Sequence, residues 1–429
     1  MDTSTTELIA LGDSYRVFFG SLGGRSGTVR NFASLYEDNT LEQALRLARG
    51  HVTDGPVIML PDAHFGSGAC VGTAVRTVGG LYPAAVGVDI GCGMIAVRTT
   101  VEAASLDVHQ RQTLRNLLLK AIPSGVGRRR ETQHPNYGYF ESEYGQAPVF
   151  AEGELSGTSD ADRYLDTAAE QFGTLGAGNH FVEVSEDEAG LVWLVVHSGS
   201  RGIGNAVARH FVAEAQRQCR EAGVELEDRD LAYVSGERLD TYVANMLWAQ
   251  DYARENREAM MQEALGALIA VAGGFETGEG VNCHHNYSLL GADGAWVTRK
   301  GAIYAGAGAL GVLPGSMATD TYIVEGLGNP DSYETAPHGA GRLHARGRPP
   351  KHRRSGEPRP GTGAWAKFTV EEFREAMEAR GVTWQERDAF HLLDESPMMY
   401  KPIEVVLEDS RRLVKPRARL TQIVNVKGL

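Results

Sequence analysis

Val57-Ile58-Met59-Leu60 and Ile95-Ala96-Val97-Arg98 bracket the stretch that decides the fold. Each apolar tetrad reads as a buried strand. Between them fall Gly66, Gly68, Gly72, Gly79, Gly80, Gly87, Gly91 and Gly93. Glycine at that density lets backbone approach closely, either to itself or to a ligand. A third apolar run, Leu191-Val192-Trp193-Leu194-Val195-Val196, leads straight into His197. Outward from this centre the spacing predicts helices at 41–48, 106–120, 203–221, 237–272 and 369–380, and a last strand at 422–426. The first fifty residues read as a preamble with one helix. Residues 125–160 read as loop, with Arg128-Arg129-Arg130 as a basic cluster, and 342–362 as an exposed loop rich in Arg, Lys, Pro and Gly. Helices and strands alternate irregularly, with no repeat and no marked linker. The expectation is one large α+β or α/β unit, with a segment 1–54 ahead of a main unit 55–429.

Composition sets a prior. The chain has 429 residues, 42% of them hydrophobic and 23% charged, as in ordinary globular proteins. Glycine is unusually frequent, 52 residues. Lys and Arg number 42 against 55 Asp and Glu, a net charge of −13. An acidic chain is not an obvious nucleic-acid binder, because phosphate contacts rest on Lys and Arg. Its N-terminus lacks a basic stretch followed by an apolar one, and no apolar run is long enough to span a membrane, so a cytoplasmic location is expected. Cys70, Cys92, Cys219 and Cys283 form no CxxC pair. They read as reduced thiols, some metal-competent.

Five places put a metal-competent residue on or beside a glycine turn. These are Val88-Asp89-Ile90-Gly91-Cys92-Gly93, Gly178-Asn179-His180, Val196-His197-Ser198-Gly199-Ser200, Cys283-His284-His285-Asn286 and His338-Gly339-Ala340-Gly341-Arg342. A lone His beside Gly is more often a turn or a surface histidine. Five such places, three at strand ends, point to a metal site. Asp89 and Cys92, three apart on a tight turn, can face one ion, and a thiolate can bridge two. Imidazole, carboxylate and thiolate together suit Mn, Fe, Co, Zn or Ni. Cys70 and Cys219 read as core thiols, and His64 receives no role. Ser198-Gly199-Ser200-Arg201-Gly202 opens a helix and could hold an anion. No Walker A or dinucleotide-binding fingerprint is present.

In this order the segments resemble the RtcB family of GTP-dependent RNA ligases. The residues that carry the resemblance are Pro61-Asp62-Ala63-His64-Phe65-Gly66, Gly87 to Met94, Thr174 to Phe181, His197 to Gly202, Cys283 to Tyr287, Pro314-Gly315-Ser316-Met317, His338 to Arg342 and Val426-Lys427-Gly428. The resemblance runs from about residue 55 to the C-terminus. It implies an enzyme that joins an RNA 2′,3′-cyclic phosphate or 3′-phosphate to a 5′-hydroxyl. GTP and two Mn(II) ions would take part, and a histidine would carry GMP. On this resemblance Asp89, Cys92 and His180 would hold one ion, and Cys92, His197 and His285 the other. His338 would be the guanylylated residue. Asn179, Phe181, Glu183, Asn286, Pro314, Gly315, Ser316, Met317, Thr321, Gly339, Ala340, Gly341 and Lys427 would hold the guanine nucleotide, and Arg201, Arg342 and Arg346 the RNA phosphates. The implied partners are RNA ends, such as tRNA halves or broken RNA. Some members of the family also use the activator archease.

The chain departs from the family pattern in places. Ser67 stands where Lys is usual, Leu343 replaces an Arg, Met398 and Met399 replace small residues, and Thr321 replaces Ser. Against these losses, Arg342, Arg346, Arg348, Lys351, Arg353, Arg354 and Arg359 crowd one loop with a single acid, Glu357. That loop is either a solvated segment or a clamp on RNA phosphates. Arg128-Arg129-Arg130 could add to the same groove. The rival readings are a family member specialised for end repair or capping, a metal-dependent phosphodiesterase that never uses GTP, and a silent RNA-binding protein.

Overall fold

The computed structural model describes residues 5–11, 15–145, 147–148, 161–352 and 358–429. In chain order its strands are β1 (Thr5–Leu11), β2 (Arg16–Leu22), β3 (Arg25–Asn31), β4 (Val57–His64), β5 (Val71–Thr77), β6 (Gly93–Glu102), β7 (Phe181–Glu186), β8 (Leu191–Ser198) and β9 (Thr277–His284). There follow β10 (Asn286–Leu290), β11 (Trp296–Lys300), β12 (Ala302–Tyr304), β13 (Leu310–Pro314), β14 (Thr321–Gly326), β15 (Thr335–Pro337), β16 (Lys351–His352), β17 (Pro358–Arg359) and β18 (Val414–Lys427). They form two seven-stranded sheets, ordered β1-β2-β3-β4-β5-β11-β10 and β13-β14-β18-β7-β8-β6-β9, and two two-stranded ribbons.

The second sheet gathers chemistry at one end. Its central strands are apolar on both faces: Val192, Leu194, Val195 and Val196 of β8 are fully buried. Each such side chain contributes about 1.5–3 kcal/mol of burial free energy. Gly93, at the start of β6, lies opposite both Ser198 of β8 and His284 of β9. Phe181, at the start of β7, lies opposite His197 of β8 and Lys427 of β18. Cys92, His180, His197, His285 and Lys427 are therefore within a residue of the same sheet edge. The 36-residue helix Glu237–Ala272 packs across β8 and β6. The chain passes from the second sheet to the first at His285, between β9 and β10.

All five expected helices are present, at Asp38–Ala48, Val108–Ala121, Arg201–Glu221, Glu237–Ala272 and Val370–Glu378. Capping boxes fix two of their starts, Asp107 with Gln110 and Thr369 with Glu372. Three expectations need correction. The first fifty residues supply β1, β2 and β3 as well as a helix, and β3 pairs in parallel with β4, so residues on both sides of position 54 share a sheet. Within 125–160, residues Pro135–Tyr144 form a helix that buries Tyr137 and Phe140 against Phe172, Trp248 and Tyr252. Within 342–362, β16 and β17 pair as a short ribbon, and Arg342 is buried rather than exposed. Among the described residues no helix is long and apolar enough to cross a membrane.

Candidate metal and nucleotide site

Each segment of the site needs a close backbone approach. Cys92 sits on a turn closed by its own amide, which donates to Asp89 O at 3.1 Å. A Cβ on Gly199 would lie 2.2 Å from Asp89 Oδ1, so only glycine lets that loop lie against the carboxylate. The amide of Ser200 donates to the same oxygen at 3.1 Å. Arg201, which opens the following helix, has φ +58, a left-handed conformation that costs a non-glycine residue about 1–3 kcal/mol.

Two groups of donor atoms result, Asp89 with Cys92 and His180, and Cys92 with His197 and His285, with all atoms of each group within 4.8 Å of one another. Cys92 Sγ lies 3.4 Å from Nε2 of both His180 and His197. His197 Nε2 is 3.0 Å from His285 Nε2, and His180 Nε2 is 3.1 Å from Asp89 Oδ2. The far ring nitrogens are occupied. Nδ1 of His180 faces Leu175 O at 2.9 Å, Nδ1 of His197 faces Asn179 O at 3.1 Å, and Nδ1 of His285 faces Asn286 Oδ1 at 3.3 Å. A proton on each Nδ1 satisfies those oxygens and leaves each Nε2 with a lone pair aimed inward. This is how metal-binding imidazoles are oriented. Burial holds His197 and His285 well below the usual histidine range, which keeps both neutral. Burial, reinforced by the Asp89 carboxylate, raises the Cys92 thiol, so a cation is needed to make it a thiolate. The donor set therefore fits a metal centre, with Cys92 common to both groups.

His338 lies beside this floor, its ring 4.5 Å from that of His285. Its Nδ1 donates to Asp62 Oδ2 at 2.7 Å, and its backbone amide donates to the same oxygen at 3.1 Å. Asp62 is fully buried. Gly341 lets the two segments meet, since a Cβ there would lie 2.1 Å from Asp62 O. Asp62 thus orients His338: in the neutral imidazole the proton sits on Nδ1 and the lone pair on Nε2.

Asp89, Cys92, His197, His285 and His338 open onto a cavity of about 490 Å³, and His180 stands behind them without lining it; the volume is within the range of small-molecule sites. Its walls include Asn179, Phe181, Glu183, Asn286, Pro314, Gly315, Ser316, Met317, Gly339, Ala340, Gly341 and Lys427. Thr321 reaches it indirectly, donating to Glu183 Oε2 at 3.1 Å. Burial pushes the Glu183 carboxyl up to about 7, against the hydroxyls of Ser185 and Thr321. Burial also lowers Lys427, opposed by Glu395 at 3.3 Å.

The arginines expected to bind phosphate differ in placement. Arg342 and Arg346 line the cavity, but both meet acids: Arg342 Nη2 is 3.2 Å from Asp394 and Arg346 Nη1 is 2.6 Å from Glu395. Arg201 does not line the cavity; its Nε donates to Thr174 Oγ1 at 3.1 Å behind Asp89. Arg129 and Arg130 do not join the groove either. Arg129 pairs with Glu170, and Arg130 donates to the carbonyls of Ala121 and Gly173 and pairs with Glu263. Arg353, Arg354 and Glu357 lie outside the described residues.

Sequence reasoning missed four groups. Asp62 stood in a quoted motif, but its partner is 276 positions away. His64 lines the cavity with Nδ1 facing Asp62 O at 2.9 Å. Glu395 ties together Lys427, Arg342, Arg346 and Tyr400. Burial raises its carboxyl, but Lys427, Arg346 and Arg342 outweigh that and hold it down at about 2. Lys300 donates to the carbonyls of Ser67 and Ala84, so an ammonium stands at the turn where Ser67 carries no charge.

The family model described as tRNA-splicing ligase RtcB matches residues 43–428. The chain is 36% identical over 415 residues to the RNA-splicing ligase RtcB of Escherichia coli K12, an alignment covering 91% of this chain and 95% of that protein. It is 37% identical over 414 residues to the RNA-splicing ligase RtcB1 of another Escherichia coli strain, with the same coverage, 91% and 95%. To the tRNA-splicing ligase RtcB of Pyrobaculum aerophilum it is 27% identical over 461 residues, with 91% of each chain covered. With the fold, the paired donor sets and these similarities in hand, the chain belongs to the RtcB family of RNA-splicing ligases.

Proposed function

We propose that this protein is a GTP- and Mn(II)-dependent RNA ligase, joining 2′,3′-cyclic phosphate or 3′-phosphate ends to 5′-hydroxyl ends. The observation that carries this reading is His338, held by Asp62, standing beside two donor sets that share Cys92 in one cavity. Asp89, Cys92, His180, His197 and His285 would hold two ions. When bound, such ions neutralise phosphate oxygens and polarise phosphorus.

The chain's own residues account for the rest. His338 Nε2, with its lone pair free, attacks the α-phosphorus of GTP; a P–N bond forms and pyrophosphate leaves. Asp62 stabilises the charge that develops on the imidazole through the Nδ1 proton it already accepts. Glu183, ionised, accepts from the guanine N1–H and amino group, and Lys427 donates to the base. A cyclic phosphate end is first opened by water, which breaks the bond from phosphorus to the 2′-oxygen and leaves a 3′-phosphate; the 3′-phosphate then takes GMP from His338, and the 5′-hydroxyl displaces GMP to close the phosphodiester. Arg342 and Arg346 at the rim would meet RNA phosphates. A phosphodiesterase would have no use for this arrangement of His338, Asn286 and Lys427.

The test is incubation with α-labelled GTP and Mn(II). Wild type is expected to take up acid-labile label, and His338→Ala to take up none. An unlabelled wild type would overturn the reading in favour of a phosphodiesterase. Ligation is assayed separately with an RNA 3′-phosphate and a 5′-hydroxyl strand, with and without an archease-type activator. Label without joining in both arms would favour end repair or capping.

A further inference from the structure

Behind the metal floor, two consecutive residues of the helix Glu237–Ala272 reach every ligand-bearing segment. Asn256 and Arg257 are both fully buried. Arg257 Nη1 donates to Gly91 O at 2.9 Å and to Ser198 O at 3.1 Å. Its Nε donates to Asn282 Oδ1 at 2.9 Å, and its Nη2 lies 3.2 Å from His284 Nδ1. Gly91, Ser198 and His284 are the immediate neighbours of Cys92, His197 and His285. Asn256 completes the set. Its Nδ2 donates to Gly199 O at 3.1 Å and lies 3.4 Å from both Thr174 O and Ser198 Oγ. Its Oδ1 accepts from the amide of Gly173 at 2.7 Å. The Gly173–Leu175 segment supplies the carbonyl that holds His180 Nδ1.

The chemistry of the pair is specific. Among the described residues no carboxylate lies within ion-pair distance of Arg257, so its guanidinium is held by carbonyl and amide oxygens. A buried charge in that setting is costly unless it is fully hydrogen-bonded. The planar fork presents several donors at fixed angles, which an ammonium cannot reproduce. Meanwhile His197 Nε2 and His285 Nε2 stand 3.0 Å apart. The β6–β8 and β6–β9 ladders bring those segments side by side, and the buried pair ties them together from behind.

We propose that Asn256 and Arg257 are positioning residues of the metal centre, clamping its four segments from behind so that Cys92 can serve both ions. This rests on the metal-dependent reading above. The test titrates Mn(II) into wild type and Arg257→Lys by calorimetry, and records the absorption of the Co(II)-loaded proteins, where thiolate ligation gives a charge-transfer band. The lysine variant keeps the charge and loses the fork. Its Mn(II) affinity is expected to fall about 10–100-fold, the usual effect of removing an outer support. The charge-transfer band should change, and guanylylation should recover at saturating Mn(II). Wild-type affinity, stoichiometry and Co(II) spectrum in a variant of lowered Tm would overturn the proposal, leaving a purely structural role. Should Arg257→Lys fail to fold, Asn256→Ser is read by the same two outcomes. A wild type that binds neither metal would instead overturn the reading on which the proposal rests.

Discussion

At the metal-competent cluster, His180, His197 and His285 each turn Nε2 toward the shared donors and have Nδ1 facing an oxygen. On the rim, Arg342 and Arg346 turn toward Asp394 and Glu395. The floor gathers thiol, carboxylate and imidazole donors within 4.8 Å of one another, a set that a cation can satisfy together. The rim presents cations already partly answered by acids, so an incoming phosphate competes with carboxylates rather than meeting bare guanidinium groups. The floor is built for tight, geometry-dependent binding, the rim for contacts that can be exchanged. This also resolves the acidic composition: a net charge of −13 is compatible with local cation clusters held in check by neighbouring acids.

The sharpest break in the comparison is Cys92→Ala, which removes the atom common to both donor sets. Mn(II) binding should be lost at both ions and guanylylation should vanish. Calorimetry that still counts one tight ion would mean the sets are independent. Next in size is Asp62→Asn, which disturbs the tautomer of His338 but no metal donor. Label transfer from GTP should fall about 10²–10⁴-fold, with Mn(II) affinity unchanged. A parallel loss of metal affinity would show that floor and nucleophile are not separable.

Glu395→Gln tests the rim. The wild-type carboxyl is held at about 2, against an ordinary 4.5. It therefore contributes stability that is fully present above pH 4.5 and is lost as pH falls toward 2. The variant should be less stable at neutral pH and should lose less on acidification over that window. An unchanged acid profile would deny the carboxylate its anchoring role.

A smaller effect concerns Glu183, whose carboxyl is pushed up to about 7. If guanine requires its ionised form, GTP affinity should rise as pH rises through 7 and weaken about tenfold per unit below it. Unliganded stability should move the other way, falling as pH rises from 4.5 toward 7, because the folded state holds that proton. Glu183→Gln should flatten the GTP profile; a slope that persists would assign it to another group. The smallest effect is expected from neutralising Arg348, Lys351, Arg353 and Arg354. If each meets a phosphate, the salt slope of RNA binding should drop by up to about 3. An unchanged slope would make the loop a solvated segment.

The clustered donor residues were legible because strand ends are where side chains of different segments meet. Cys92, His180 and His197 each stand near a glycine at a strand end, and His285 stands between two strands. Asp62 does not, since its role depends on a histidine far along the chain. Asn256 and Arg257 are also hidden: a polar pair inside a long helix reads as a solvent-facing turn, and only tertiary packing buries it. β3, Arg25-Ser26-Gly27-Thr28-Val29-Arg30-Asn31, has too few apolar residues to alternate, and gains its order by pairing between β2 and β4. The helix Pro135–Tyr144 was obscured by Gly138 and a weak apolar stripe. It forms because Tyr137 and Phe140 pack, mostly edge-on, against Phe172, Trp248 and Tyr252.

His285 is the single residue between a strand of one large sheet and a strand of the other. Its amide donates to Cys92 O at 2.7 Å, and its carbonyl accepts from Ala302 N at 3.0 Å. Neither sheet can fray at this point without dragging on the other. Solvent exchange of the His285 amide proton should therefore require opening of the whole molecule, and its exchange free energy should equal the global one rather than that of a local fluctuation.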